Sequence, residues 1–97
     1  MMSQSSTTTE INLPVYHVGD YLLDAMDDLG MNQTQFAKAV GVNTGRISEV
    51  IRGRHRLTAQ TAVLIAKYLG NTPEHWLKLQ SLWEIEQAKK KLGLLEN

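Results

Sequence analysis

The sequence predicts an all-α fold of five helices. Apolar residues recur at three- and four-residue spacing in five successive segments, and most segments open on Asn or Thr and close on glycine. At 97 residues the chain is long enough for one small domain with one modest core.

Residues 1–12 are polar and are expected to form a disordered tail, with the folded domain at 13–92 and a short tail at 93–97. The first helix is expected to start between Val18 and Asp20 and to run to Leu29, with Tyr21, Leu22, Ala25, Met26 and Leu29 on its inner side and the aspartates outside. Asp20 suits the positive end of the helix dipole, and Gly30 ends the helix. Asn32 with Gln35 three residues on has the spacing of a capping box, followed by Phe36, Ala37 and Val40 as the inner face of a two-turn helix. Such a helix needs packing to be stable. At Gly41 the chain must reverse, which predicts a left-handed conformation, and Val42 is expected to be buried between this helix and the next. Asn43 caps the third helix, Thr44 to Ile51, with Ile47, Val50 and Ile51 inward and Gly53 as its stop. Thr58 caps a fourth helix at 59–69 carrying Ala62, Val63, Ile65, Ala66 and Leu69, closed by Gly70. Thr72 with Pro73 opens the fifth, which runs through Trp76, Leu79, Leu82, Trp83 and Ile85 to about Lys91. That length exceeds what so small a domain needs to cover itself, so part of it is expected to face a second subunit.

Two short helices joined at Gly41, NQTQFAKAVGVNTGRISEVIRGR from Asn32 to Arg54, have the proportions of a helix-turn-helix, whose second helix fits the DNA major groove. With Ile47, Val50 and Ile51 inward, the outer surface of that second helix holds Thr44, Gly45, Arg46, Ser48, Glu49 and Arg52, beside the cap Asn43. Arg46 has a donor fork matching guanine O6 and N7 and is the expected base reader. Thr44 offers a hydroxyl or a methyl, and Gly45 lets the backbone approach closely. Glu49 repels phosphate unless it accepts from cytosine or pairs with Arg46 or Arg52, and so discourages indiscriminate binding. Gln33 and Thr34 stand at the unpaired N–H groups of the first short helix, where a phosphate can be clamped. Lys38, Arg52, Arg54 and Arg56 add charge, which strengthens binding without selecting sequence. His55, between arginines, reads as a phosphate neighbour rather than a base.

One reading helix covers too little DNA to be selective, so a two-fold homodimer on a palindromic operator is expected, with Trp76, Leu79 and Trp83 of the last helix as the candidate seam. Zero formal net charge conceals a polarised chain. Residues 1–31 carry Glu10, Asp20, Asp24, Asp27 and Asp28 and no Lys or Arg; residues 32–67 carry Lys38, Arg46, Arg52, Arg54, Arg56 and Lys67 against Glu49 alone. A bipolar molecule suits two different partners.

Other function classes find little support. Without cysteine there is no disulfide framework or thiolate metal site. His17, His55 and His75 are scattered, and no HExxH, P-loop or dinucleotide-binding glycine motif occurs. The expectation is a non-enzyme with no cofactor and no metal. No apolar run approaches the ~20 residues that span a bilayer and no signal peptide is visible, so no membrane partner and a cytoplasmic setting are expected.

The stretch LGMNQTQFAKAVGVNTGRISEVIRG, residues 29–53, resembles the signature of the Xre/Cro-like repressor family, including Asn32-Gln33, Phe36-Ala37, Gly41 and Ile47. HVGDYLLDAMDDLGM (17–31) resembles the HPGE-like opening of its HigA-type antitoxin branch, and LTAQTAVLIAKYLGNTPEHWLKLQSLWEIEQAKKKL (57–92) resembles that branch's second half, with Thr58, Thr61-Ala62, Trp76, Leu79-Gln80 and Trp83-Glu84 its more specific positions. The resemblance implies a lambda-repressor-like fold with the helix-turn-helix at helices 2 and 3, residues 32–53. It also implies a homodimeric autorepressor of its own operon that neutralises a toxin, in that family usually a RelE/HigB-like mRNA interferase. By matching positions, Gln33 corresponds to a phosphate-contacting glutamine, and Thr44, Gly45 and Glu49 to positions that face bases. Val18 and Asp20 depart from the usual Pro and Glu of the opening motif. Met26 and Ile51 stand where many relatives place a buried Arg–Glu pair, so apolar packing is expected to join the first and third helices, which need not cost stability. The acidic first helix suits a basic toxin. A stand-alone or phage-type regulator without a toxin, and an interaction module that no longer binds DNA, are the rival readings.

Overall fold

The computed structural model describes residues 14–94; the tail expected at 1–12, and residues 95–97 of the tail expected at 93–97, lie outside the described residues. Five helices follow in order: α1 (Val18–Leu29), α2 (Gln33–Val40), α3 (Thr44–Ile51), α4 (Ala59–Leu69) and α5 (Pro73–Lys91). There is no strand among the described residues.

Local chemistry sets the boundaries. At α2 the capping box closes in both directions: Asn32 Oδ1 accepts from the Gln35 N–H at 2.8 Å, and Gln35 Oε1 accepts from the Asn32 N–H at 2.9 Å. Asn43, Thr58 and Thr72 accept in the same way from Arg46, Thr61 and His75. Gly41 turns the chain at φ 93°, ψ 31°, in the left-handed region where any Cβ is strained. The cap of α1 is a histidine: His17 Nδ1 accepts from the Gly19 N–H at 2.9 Å.

The core is built from all five helices. Leu22 and Met26 of α1, Phe36 and Ala37 of α2, Ile47 and Val50 of α3, Ala62 and Ile65 of α4 and Trp76 of α5 are buried together with Leu57 from the loop before α4. Val42 is only half-buried, against the edge of this cluster, and so is Ile51. Met26 and Ile51 thus both join the apolar packing, as expected. At the same junction α1 meets α3 through Gly19, where a Cβ would lie 2.6 Å from the Ile51 carbonyl oxygen. Only glycine permits that approach.

Leu29, assigned inward by periodicity, is corrected, and three further apolar residues of the helices, Val63, Leu82 and Ile85, are also exposed. Leu29 is 45% exposed, Val63 49%, Leu82 46% and Ile85 52%. Leu29 is the last residue of its helix and has no turn following to cover it. Val63 stands one residue off the line Ala62, Ile65, Ala66, Leu69 that faces the core. Leu82 and Ile85 stand off the line of Gln80, Trp83 and Glu84 by which α5 meets Leu57, His17 and Arg56.

Two polar contacts complete the interior. Gln80 of α5 is buried, and its carboxamide pairs with both backbone groups of Leu57: Oε1 accepts the Leu57 N–H at 2.6 Å, and Nε2 donates to the Leu57 carbonyl at 2.9 Å. Trp76 Nε1 donates to Asn71 Oδ1 at 2.8 Å. Among the described residues no buried side-chain nitrogen or oxygen lacks a partner.

Candidate nucleic-acid interface

The first turn of α3 is set by its cap. Asn43 Oδ1 reaches the Arg46 N–H at 3.2 Å, which commits the carboxamide oxygen of Asn43 to the backbone and leaves its NH2 outward. Gly45 protects this arrangement, because a Cβ there would come within 2.9 Å of Asn43 Oδ1. Burial of Ile47 and Val50 turns the opposite side of the helix out: Gly45, Arg46 and Arg52 are exposed, and Thr44, Ser48 and Glu49 are half-buried. On α2, Thr34 and Lys38 are exposed and Gln33 is half-buried, at an N-terminus whose free N–H groups point outward.

An open groove of about 800 Å³ runs between this turn and α4. One wall is Gly41, Asn43, Gly45, Arg46 and Glu49; the other is His55, Thr58, Gln60, Thr61 and Leu64. The groove therefore gathers four of the sequence-predicted residues around one concavity. Gln33, Thr34, Lys38, Thr44, Ser48, Arg52, Arg54 and Arg56 lie outside its lining.

A helix-turn-helix family model matches residues 22–77, which includes both short helices and the start of α5. Antitoxin HigA-1 of Vibrio cholerae is 38% identical over 71 residues, covering 69% of this chain and 67% of its own. The solved structure of an addiction module antidote protein of the HigA family from Coxiella burnetii is 36% identical, with a TM-score of 0.78 over 84% of this chain and 89% of that one. The chain belongs to the HigA-type helix-turn-helix family. The fold extends further: Pseudomonas aeruginosa antitoxin HigA, solved with the higBA promoter, superposes with a TM-score of 0.75 at 21% identity, covering 82% of this chain and 88% of that one. Membership makes this a DNA-binding transcriptional regulator rather than an enzyme. No described helix is long and apolar enough to cross a membrane.

In this HigA-type chain two sequence-assigned residues are engaged within the fold. Arg56 does not offer a free cation: its Nε and Nη2 donate to Glu84 Oε2 and Oε1 at 2.6 and 2.9 Å, a bidentate pair between the α3–α4 loop and α5. Hydrogen bonding to Arg56 lowers the Glu84 pKa, against a smaller rise from burial, and the same bond raises Arg56 further above its usual range. Trp76 is 3% exposed and satisfied within its own chain, so it is a core residue with almost no surface to bring to a dimer seam. Leu79 and Trp83 remain half-buried.

The structural roles of three residues escaped the sequence reading. His17 caps α1 and sets its ring edge-on to Trp83, 4.7 Å between centroids, tying the start of the chain's first helix to its last. Gln80 holds the loop that carries His55. Gln60 adds a carboxamide to the groove. Gln80 left a readable signal, a polar residue four after Trp76 and three before Trp83 on one helical face. His17 left none at the level of periodicity.

Proposed function

We propose that this chain is the antitoxin of a type II toxin–antitoxin pair, a homodimeric repressor of its own operon that neutralises a RelE/HigB-like mRNA interferase. The observation that carries the DNA half is the first turn of α3, where Arg46 stands exposed at the lip of an open groove while the apolar residues of the same helix are consumed by the core. Arg46 reads a base edge, with Thr44, Gly45 and Glu49 beside it; Gln33 and Thr34 hold a phosphate at the start of α2. Asn43 and Ser48 flank them, and Lys38, Arg52 and Arg54 supply charge. Arg56 leaves that set, since binding phosphate would cost it Glu84.

The folded unit is residues 13–92. Its dimer seam lies on α5, where Leu79 and Trp83 join the exposed Leu82 and Ile85. The toxin half rests on relationship to the Vibrio and Coxiella proteins and on the exposed carboxylates of α1, Asp20, Asp24, Asp27 and Asp28, which suit a basic partner.

A mobility-shift titration on the protein's own upstream region tests the first half. A specific shift is expected, and Arg46→Ala is expected to lose about 1–3 kcal/mol of discrimination between operator and scrambled duplex. A folded dimer that shifts no upstream fragment would refute the repressor reading. Rescue of growth on co-expression with the product of the adjacent reading frame tests the second half; a neighbour that is harmless when expressed alone leaves a stand-alone regulator.

A further inference from the structure

His55 is exposed in the loop between α3 and α4 and lines the groove opposite Arg46. Its Nδ1 lies 3.0 Å from the Arg56 carbonyl oxygen. A carbonyl only accepts, so Nδ1 carries a proton, and in the neutral ring the lone pair is on Nε2. The carbonyl is itself fixed from α5. Glu84 grips the Arg56 side chain, and Gln80 grips both backbone groups of the next residue, Leu57. The ring is therefore set on a braced segment of chain, with Nε2 as the nitrogen on offer.

A phosphate oxygen presents only lone pairs. Against a neutral His55 it would meet another lone pair, whereas the imidazolium would donate Nε2–H and add a positive charge. Resting on the DNA-binding reading above, we propose that His55 is a proton-linked DNA contact: the ring takes up a proton as it meets the phosphate backbone, so affinity for DNA rises as the pH falls. The charged groups that bear on that proton come from α3, the loop and α5. α3 contributes Arg46, which opposes it, and Glu49, which favours it; the loop contributes Arg54, and Arg56 is balanced by Glu84 of α5. α4 contributes to the groove only neutral groups. The charge that favours the imidazolium arrives with the DNA.

The test is fluorescence anisotropy of the full chain with its upstream duplex and with a scrambled duplex, from pH 6 to pH 8 at fixed ionic strength. This range lies above carboxylate titration, so the Arg56–Glu84 pair persists. Wild-type affinity is expected to fall toward pH 8, by at most about tenfold per pH unit for each histidine that takes up a proton. The fall is expected on both duplexes, because phosphate is common to them. His55→Ala, checked for fold by circular dichroism, is expected to bind at all pH values as weakly as the wild type at pH 8. Calorimetry in two buffers of different ionisation heat is expected to show proton uptake by the wild type and less by His55→Ala. A flat wild-type profile, or an unchanged slope in His55→Ala, overturns the proposal while the DNA-binding reading stands. A slope of opposite sign also overturns it, as the mark of a neutral Nε2 accepting from a base amino group. Failure to bind either duplex at any pH defeats both readings.

Discussion

Single side chains hold this small domain at points that no local rule indicates. Gln80 is the strongest case. Its amide satisfies the N–H and the C=O of Leu57, both out of reach of water. Gln80→Leu preserves volume but strands the two groups, and is expected to lower the unfolding free energy by about 2–4 kcal/mol in urea titrations. An unchanged midpoint would show that water replaces the amide. The Arg56–Glu84 pair behaves differently, because it is largely solvated: the Arg56 side chain is 67% exposed. Glu84 titrates below its usual range in the folded chain, chiefly through its hydrogen bond to Arg56. Its contribution is therefore complete above the unfolded carboxylate pKa and is lost as the pH falls through the lower folded value. Thermal melts should show Glu84→Gln slightly less stable than the wild type at neutral pH, with a shallower acid-side decline, so that the two converge at low pH. Neither contact was legible in the sequence, since the partners are 23 and 28 residues apart and each is an ordinary surface residue type. Arg56 was accordingly counted with the other arginines as a phosphate binder.

At the scale of elements the sequence was far more legible. Caps act over three residues, so Asn32 with Gln35, Asn43, Thr58 and Thr72 with Pro73 all stand where the spacing put them. Periodicity located every helix but ranked its faces less well. Leu29, Val63, Leu82 and Ile85 are apolar at plausible positions, and their exposure depends on which helix lies opposite, which a one-dimensional pattern does not encode. The close approach of α1 to α3 is another relation between elements. Gly19→Ala would push a methyl group to 2.6 Å from the Ile51 carbonyl and onto the His17 ring, and is expected to cost about 1–3 kcal/mol of stability. Because the displaced element is α3, operator affinity should fall with it. Normal stability in the variant would show that the α1 N-terminus shifts freely. For the candidate site, the exposed turn at Thr44–Arg46 followed from the inward positions of Ile47 and Val50. The far wall of the groove did not, since it depends on how α4 packs.

For the whole molecule, charge is sorted by region: carboxylates on α1 and cations around α2, α3 and the following loop. A polarised surface of zero net charge predicts weak non-specific attraction to DNA but a clear salt dependence once bound. Arg54→Ala should weaken operator and scrambled duplex alike and reduce the slope of log affinity against log salt by about 1 per protomer. A loss confined to the operator would make Arg54 a base reader instead. The proposed homodimer belongs to this scale too. With Trp76 withdrawn into the core, the apolar surface left on α5 centres on Leu82 and Ile85. Ile85→Lys is expected to shift sedimentation toward the monomer without unfolding the chain, and an unaltered dimer would place the seam elsewhere.

The brace that Gln80 and Glu84 give to the α3–α4 loop also makes the molecule's fate depend on where a protease cuts it. Trimming back to Lys89 leaves both props in place. A cut between Gln80 and Glu84 frees Arg56, and a cut before Gln80 also leaves Leu57 with two unpaired peptide groups inside the core. Nicking within one helix would thus disable the regulator in stages, first by loosening the loop and then by unfolding the domain that carries it.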